Sequence, residues 1–113
     1  MQKSFKDLVV WQKSFLSAVE IYKLFATIRD FGFRDQIQRS SVSVPTNIAE
    51  GYSRRNDNFL KHFLIIAKGS AAETESLLMI AADLGYISKN QKETYTAQYV
   101  ELQKMISGFI KKL

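Results

Sequence analysis

The amino-acid sequence predicts an all-α chain: an antiparallel, up-down-up-down four-helix bundle, with residues 1–113 forming one domain. Three observations predict it. Apolar residues recur at spacings of three and four along most of the chain, the repeat of amphipathic helices. Breakers are sparse, with one proline and five glycines. Start and stop signals divide the chain into four segments joined by short turns, which makes successive helices antiparallel.

The first helix is expected to start at Asp7, a good N-cap residue, and to run to about Ile28. Leu8, Trp11, Phe15, Ala18, Tyr22 and Phe25 form its apolar stripe. Arg29–Phe33, with Asp30 and Gly32, reads as a turn. The second helix is expected from about Arg34 to Tyr52 or Ser53, with Ile37, Val44 and Ile48 on its core side. Pro45 lies in its interior, where it offers no N–H to the Ser41 carbonyl and is expected to kink the helix. The hydroxyls of Ser41 and Thr46 are candidates to satisfy the opened turn.

Asn56, Asp57 and Asn58 offer caps for a third helix running to Leu84, and Gly85 stands as the residue that ends it. One face carries Phe59, Phe63, Ile66, Ser70, Leu77 and Leu84. Another carries Leu60, Leu64, Ala67, Ala71, Leu78 and Ala81. A helix apolar on two faces is the central element or lines a subunit contact. Gly69, Ala71 and Ala72 form a narrow waist where another helix can approach. Ser88 and Gln91 form an S-x-x-Q capping box for the fourth helix. Its seam is Tyr95, Tyr99, Leu102, Ile106, Phe109 and Leu113, with Gly108 a second candidate for close packing.

Composition narrows the function classes. At 46% hydrophobic and 24% charged residues, the chain is that of a folded globular protein. It has no cysteine, which removes disulfides and thiolate-bound zinc. No apolar run reaches the roughly 20 residues that span a bilayer, and the first residues lack the apolar core of a signal peptide. A cytoplasmic chain with no membrane role is expected. The net charge of +5 favours polyanionic partners, nucleic acid first. It is uneven: residues 1–56 carry nine Lys and Arg against five Asp and Glu, and residues 57–113 seven against six. Lysine-rich helix surfaces that only maintain solubility are the competing explanation.

Motifs for chemistry are missing. Neither G-x-x-x-x-G-K-[ST] nor G-x-G-x-x-G occurs. The single histidine, His62, sits between Lys61 and Phe63 and reads as a surface residue and not as part of a catalytic triad. Paired Glu-x-x-His motifs for a di-metal bundle do not occur. Glu73 and Glu75, two apart on a helix, point in nearly opposite directions and cannot share a substrate. No catalytic residue, metal site or cofactor is therefore expected.

What remains is a polar stripe and a set of basic residues. Arg39, Ser43, Asn47 and Glu50 recur at four, four and three residues along one side of the second helix. With Ser70 and Glu73 they form a candidate structural polar network that fixes helix register; a ligand pocket is the alternative. Tyr52 with Arg54 and Arg55 is the one cluster that interleaves an aromatic with basic residues. Arg54, Arg55, Lys61, Lys68, Lys111 and Lys112 are the candidate nucleic-acid contacts.

Phe33–Arg55 (FRDQIQRSSVSVPTNIAEGYSRR) and Phe63–Ile87 (FLIIAKGSAAETESLLMIAADLGYI), together with the opening Phe5–Ser14 (FKDLVVWQKS), resemble the proteins encoded in intervening sequences of bacterial 23S ribosomal RNA genes. The resemblance covers nearly the whole chain. The Asn47–Gly51 NIAEG core, preceded by Gln36 and Arg39 and followed by the A-x-G-S of Ala67–Ser70, makes it specific. It implies a four-helix bundle that assembles as a homopentamer, in a ring or barrel. It also implies a distant likeness to accessory proteins of diversity-generating retroelements, which bind a reverse transcriptase and nucleic acid through a basic surface. It brings no catalytic residue. The function expected is a non-enzymatic, homo-oligomeric adaptor that binds RNA or a ribonucleoprotein through basic residues. The alternative is a protein–protein interaction scaffold with no direct nucleic-acid role.

Overall fold

The computed structural model describes residues 3–113; Met1 and Gln2, included in the expected domain span, lie outside the described residues. A short 3-10 turn, Phe5–Asp7, leads into α1 (Val9–Leu24), α2 (Phe31–Ser53), α3 (Asp57–Asp83) and α4 (Lys89–Lys111). The turns between them are short, so the helices alternate in direction, and the bundle measures 46 × 21 × 20 Å. α2 packs on α3, α3 on α4 and α1 on α2, while α1 meets α4 along a thinner seam. α1 and α3 are diagonal, with no close backbone approach between them.

Several helix ends have a local chemical cause. Asn56 Oδ1 accepts from the backbone N–H of Asn58 (3.0 Å) and Phe59 (3.1 Å), capping α3. α3 ends in a Schellman motif, with Tyr86 N–H donating to the Ala81 carbonyl (2.9 Å) and Gly85 N–H to that of Ala82 (3.0 Å). Gly85 has φ +78°, a conformation in which a side chain is strained. The expected capping box is present at α4: Gln91 N–H donates to Ser88 Oγ (3.0 Å) and Ser88 N–H to Gln91 Oε1 (2.9 Å).

Two starts differ from expectation. Asp7 does not cap α1. It accepts from the Ser4 N–H (3.1 Å) in a capping box that closes the preceding 3-10 turn, and α1 follows from Leu8 without a side-chain cap. α2 begins at Phe31, three residues early, because Asp30 Oδ1 accepts from Phe33 N–H (3.2 Å). α1 also stops at Leu24 instead of Ile28. α2 continues as one helix through Pro45. Neither nearby hydroxyl serves the Ser41 carbonyl, since Ser41 Oγ donates to the Gln38 carbonyl and Thr46 Oγ1 to that of Val42, each at 2.9 Å.

The core is one cluster drawn from all four helices, with Ile21, Ile37, Ile48, Leu64, Leu78, Leu102 and Ile106 fully enclosed. Burying each such side chain contributes roughly 1.5–3 kcal/mol. The expected stripe of α1 divides: Ala18 and Phe25 are buried and Leu8 and Trp11 pack against the core, but Phe15 and Tyr22 turn outward. Phe15 and Tyr22 are 45% and 52% exposed, whereas Val10, Ser14, Ser17 and Ile21 point inward. Small serines let α4 come close, and Ser17 Oγ donates to Gln98 Oε1 across that seam (2.8 Å). Lys13 and Glu101 close the same seam with an ion pair of 2.9 Å.

The close helix contact is also elsewhere than expected. At Gly51 an added Cβ would lie 2.7 Å from the Phe63 Cβ and 3.3 Å from the Leu60 Cα, so glycine is what lets α2 meet α3 there. Gly69 and Gly108 face open space. No helix is long and apolar enough to cross a membrane, among the described residues.

Candidate nucleic-acid interface

The basic residues fall into two groups that differ in how free their charges are. At the α2–α3 turn, Arg54 and Arg55 are both occupied within the chain. Arg54 Nε donates to Glu50 Oε2 at 3.2 Å, and its guanidinium lies 5.4 Å from the ring centres of both Phe59 and Phe63. Arg55 Nη2 donates to the Lys3 carbonyl (2.7 Å), and its guanidinium stacks over Tyr52 at 5.2 Å. Arg55 also adopts φ +57° directly after α2, the left-handed position that commonly ends a helix. The turn thus presents guanidinium groups held on aromatic faces, and Arg54 also makes a partly exposed ion pair with Glu50.

The second group lies where α3 and α4 pack side by side. Lys68 of α3 and Lys104 and Lys111 of α4 line a single shallow depression of about 520 Å³, together with Val100, Ser107 and Gly108. Glu75, the one acid there, accepts from Gln103 Nε2 at 2.7 Å. Among the described residues none of these lysines has an ion-pair partner. Lys61 and Lys68 are seven residues apart, so they share one side of α3 and extend the lysine line toward the α2–α3 turn. Lys112 is exposed just past α4. Lys104 completes the cluster; only the register of α4 against α3 brings it beside Lys68.

The polar stripe resolves into two parts. Ser43 Oγ and Ser70 Oγ meet at 2.8 Å, and Asn47 Nδ2 donates to the Ser43 carbonyl and to its Oγ (2.8 and 2.9 Å). One turn away, Ser40 Oγ and Thr74 Oγ1 meet at 2.8 Å in a fully enclosed position. Ser40 and Thr74 were not in the expected network, although they follow the same α2–α3 register as Ser43 and Ser70. The charged residues stand apart. Arg39 and Glu73 are exposed on either side of a depression of about 340 Å³ without an ion pair between them, and Glu50 pairs with Arg54. Glu73 therefore stands outside the hydroxyl network, exposed to solvent.

Electrostatic perturbation is confined to two places. Tyr86 Oη donates to Asp30 Oδ2 (2.7 Å), which with the Phe33 N–H holds the Asp30 carboxyl below its usual range. The Tyr99 phenol is pushed well up by burial, with a smaller contribution from Glu20, and its hydroxyl has no hydrogen-bond partner among the described residues. His62 is exposed and lies edge-on to Phe63. Neither place combines a nucleophile with a base.

Comparison with known proteins follows this geometry. No curated protein matches the chain. The crystal structure of a protein of unknown function from the S23 ribosomal protein family of Bacteroides thetaiotaomicron is similar to it, at 32% identity and a TM-score of 0.85. The match covers 91% of this chain and 99% of that one. The model of the 23S rRNA-intervening sequence proteins matches residues 6–108, which include every helix core and all the basic residues of the interface except Lys111 and Lys112. The chain belongs to the 23S rRNA-intervening sequence protein family.

Proposed function

We propose that this chain is a non-enzymatic, homo-oligomeric adaptor that binds RNA, or a ribonucleoprotein, through its basic surface. The observation that carries this reading is the lysine cluster Lys68, Lys104 and Lys111 on one α3–α4 surface, unpaired by acids among the described residues. Ammonium groups that are free of internal partners release counterions when they meet phosphates, which is the main source of sequence-independent affinity. Shallow, open geometry suits a backbone contact better than an enclosed small molecule. Arg54 and Arg55 supply a second contact at the neighbouring turn, with planar groups already held in place on aromatic rings. In an oligomer these modest patches repeat, and simultaneous engagement raises the overall affinity without a new contact.

The non-enzymatic part rests on the chemistry of the side chains. The chain carries no cysteine and one histidine, and that histidine is exposed beside a phenylalanine. The test is binding of purified full-length protein to labelled structured RNA at low ionic strength, repeated as salt is raised. Binding that weakens steeply with salt is the expected result. Absence of binding at low salt would overturn the nucleic-acid role and leave a protein–protein scaffold, a reading the exposed apolar residues of α1 and α3 favour.

A further inference from the structure

The lysines of the α3–α4 surface stand in two rows. On α3, Lys61, Lys68 and Glu75 recur every seven residues, and on α4 Lys104 and Lys111 are also seven apart. Seven residues are two turns, about 10.5 Å of helix. Packed helices lie about 8–10 Å apart. Each helix therefore contributes two exposed lysines to one side of a common face. Val100, Ser107 and Gly108 line the ground between the rows, and a Cβ added at Gly108 would meet nothing within 4 Å. No large side chain parts the rows. Glu75 closes the α3 row at one end.

A single strand is held best where its bases stack on aromatic rings interleaved with cations. No ring lines this depression among the described residues. The exposed rings are elsewhere: Phe15 and Tyr22 on α1, Phe31 at the start of α2 and Phe59 in the first turn of α3. Phe59 is two residues from Lys61, so it points about 200° away from it, and the Arg54 guanidinium lies over its ring at 5.4 Å. The surface also has no spare amide for reading a base edge. Gln103 is the one amide in its lining, and its Nε2 donates to Glu75 Oε1 (2.7 Å) and to the Tyr99 carbonyl (3.1 Å).

We infer that the α3–α4 lysine surface binds double-stranded RNA, with one lysine row on each of the two backbones that border a groove, and without regard to sequence. A single strand follows one row and leaves the other unmet. A duplex carries about twice the phosphate charge per length of axis, so it meets both rows at once. Backbone contacts set position and carry no sequence information. The wide, shallow minor groove of A-form RNA presents its backbones to a face that inserts nothing between them. The preference rests on the nucleic-acid reading above and specifies the form of its ligand.

The test compares three kinds of probe on full-length protein by fluorescence anisotropy at one low ionic strength: a blunt RNA duplex of mixed sequence, each of its strands alone, and a duplex of shuffled sequence. The duplex is expected to bind at least about fivefold more tightly than either strand. The shuffled duplex is expected within about twofold of the first. Lys61→Ala/Lys68→Ala removes the α3 row and is expected to bring the duplex down to the affinity of a single strand. Lys104→Ala/Lys111→Ala removes the α4 row and is expected to do the same, and circular dichroism checks that both variants keep their helices. Strands that bind as tightly as the duplex, a shuffled duplex that binds far more weakly, or a duplex preference that survives the loss of either row would overturn the inference while leaving RNA binding itself in place. Absence of binding by every probe would overturn the nucleic-acid reading and this preference with it.

Discussion

Ser40 and Thr74 touch hydroxyl to hydroxyl, 2.8 Å apart, inside the α2–α3 seam. Both are enclosed, and each hydroxyl also reaches its own helix: Ser40 Oγ the Ile37 carbonyl (3.2 Å), Thr74 Oγ1 that of Ser70 (2.9 Å). Two small polar groups that satisfy one another let two long helices lie close without a buried unpaired group. The pair fixes how α3 slides along α2, and that sliding position is what aligns Ser43 with Ser70 one turn further on.

Thr74→Val is expected to destabilise the fold by about 1 kcal/mol, since it removes one partner from a buried pair. Adding Ser40→Ala is expected to cost less than it does alone, because the two hydroxyls serve each other. Urea denaturation of the two single variants and the double variant checks this. Strict additivity would mean the hydroxyls act only through their own helices.

Gly51→Ala is expected to cost about 1–3 kcal/mol, because the new methyl would sit 2.7 Å from the Phe63 Cβ with backbone behind it. Gly108→Ala meets open space inside α4 and is expected to be neutral or to stabilise by up to about 1 kcal/mol. Thermal melts of the two variants should therefore shift in opposite directions, or only the first should shift.

Much of the fold was legible because its signals are local. Asn56, Gly85 and the Ser88–Gln91 box act within a turn of themselves, so residue type and spacing reveal them. Asp7 was misread because Ser4 recruits it first, and both patterns are consistent with the same few residues. The α1 stripe is legible in part: Ala18 and Phe25 are core residues, but Phe15 and Tyr22 share their period and face outward, while Val10, Ser14, Ser17 and Ile21, smaller or less prominent in the sequence, complete the inward face. The lysine cluster depends on α3–α4 register, so Lys68 and Lys111 could be named but their meeting with Lys104 could not.

The Asp30–Tyr86 contact ties the α1–α2 turn to the end of α3, and it makes stability depend on acid. The Tyr86 hydroxyl, then the Phe33 N–H, lower the folded Asp30 pKa. Its contribution is therefore present above the unfolded carboxylate value of about 3.9 and is lost as pH falls through the folded value. Tyr86→Phe removes the larger of the two causes. The variant is expected to be less stable than wild type at neutral pH, with the difference fading as pH falls below the unfolded carboxylate value. A carboxyl titration followed by NMR should show the Asp30 midpoint rising in the variant.

Tyr99 predicts the opposite end of the scale. Burial raises its folded pKa, while the unfolded phenol ionises near pH 10. Its contribution is fully present below about pH 10 and is lost as pH climbs toward the folded value. Tyr99→Phe is expected to unfold less readily in alkali. At pH 7 it should be at least as stable as wild type, because the buried hydroxyl it removes has no hydrogen-bond partner among the described residues. Denaturation at pH 7 and above pH 10 checks both.

The central claim is that the α3–α4 lysines meet phosphates. The measurement that tests it most directly is the salt slope of RNA binding for wild type, for Lys68→Ala/Lys104→Ala/Lys111→Ala, and for Arg54→Ala/Arg55→Ala. Weaker binding is expected for the lysine variant, with a log–log slope shallower by about two to three, one unit or slightly less per lost contact. A smaller change is expected for the arginine variant, because Arg54 is paired with Glu50 and Arg55 is held by the Lys3 carbonyl. Binding by the lysine variant with the wild-type affinity and slope would contradict it.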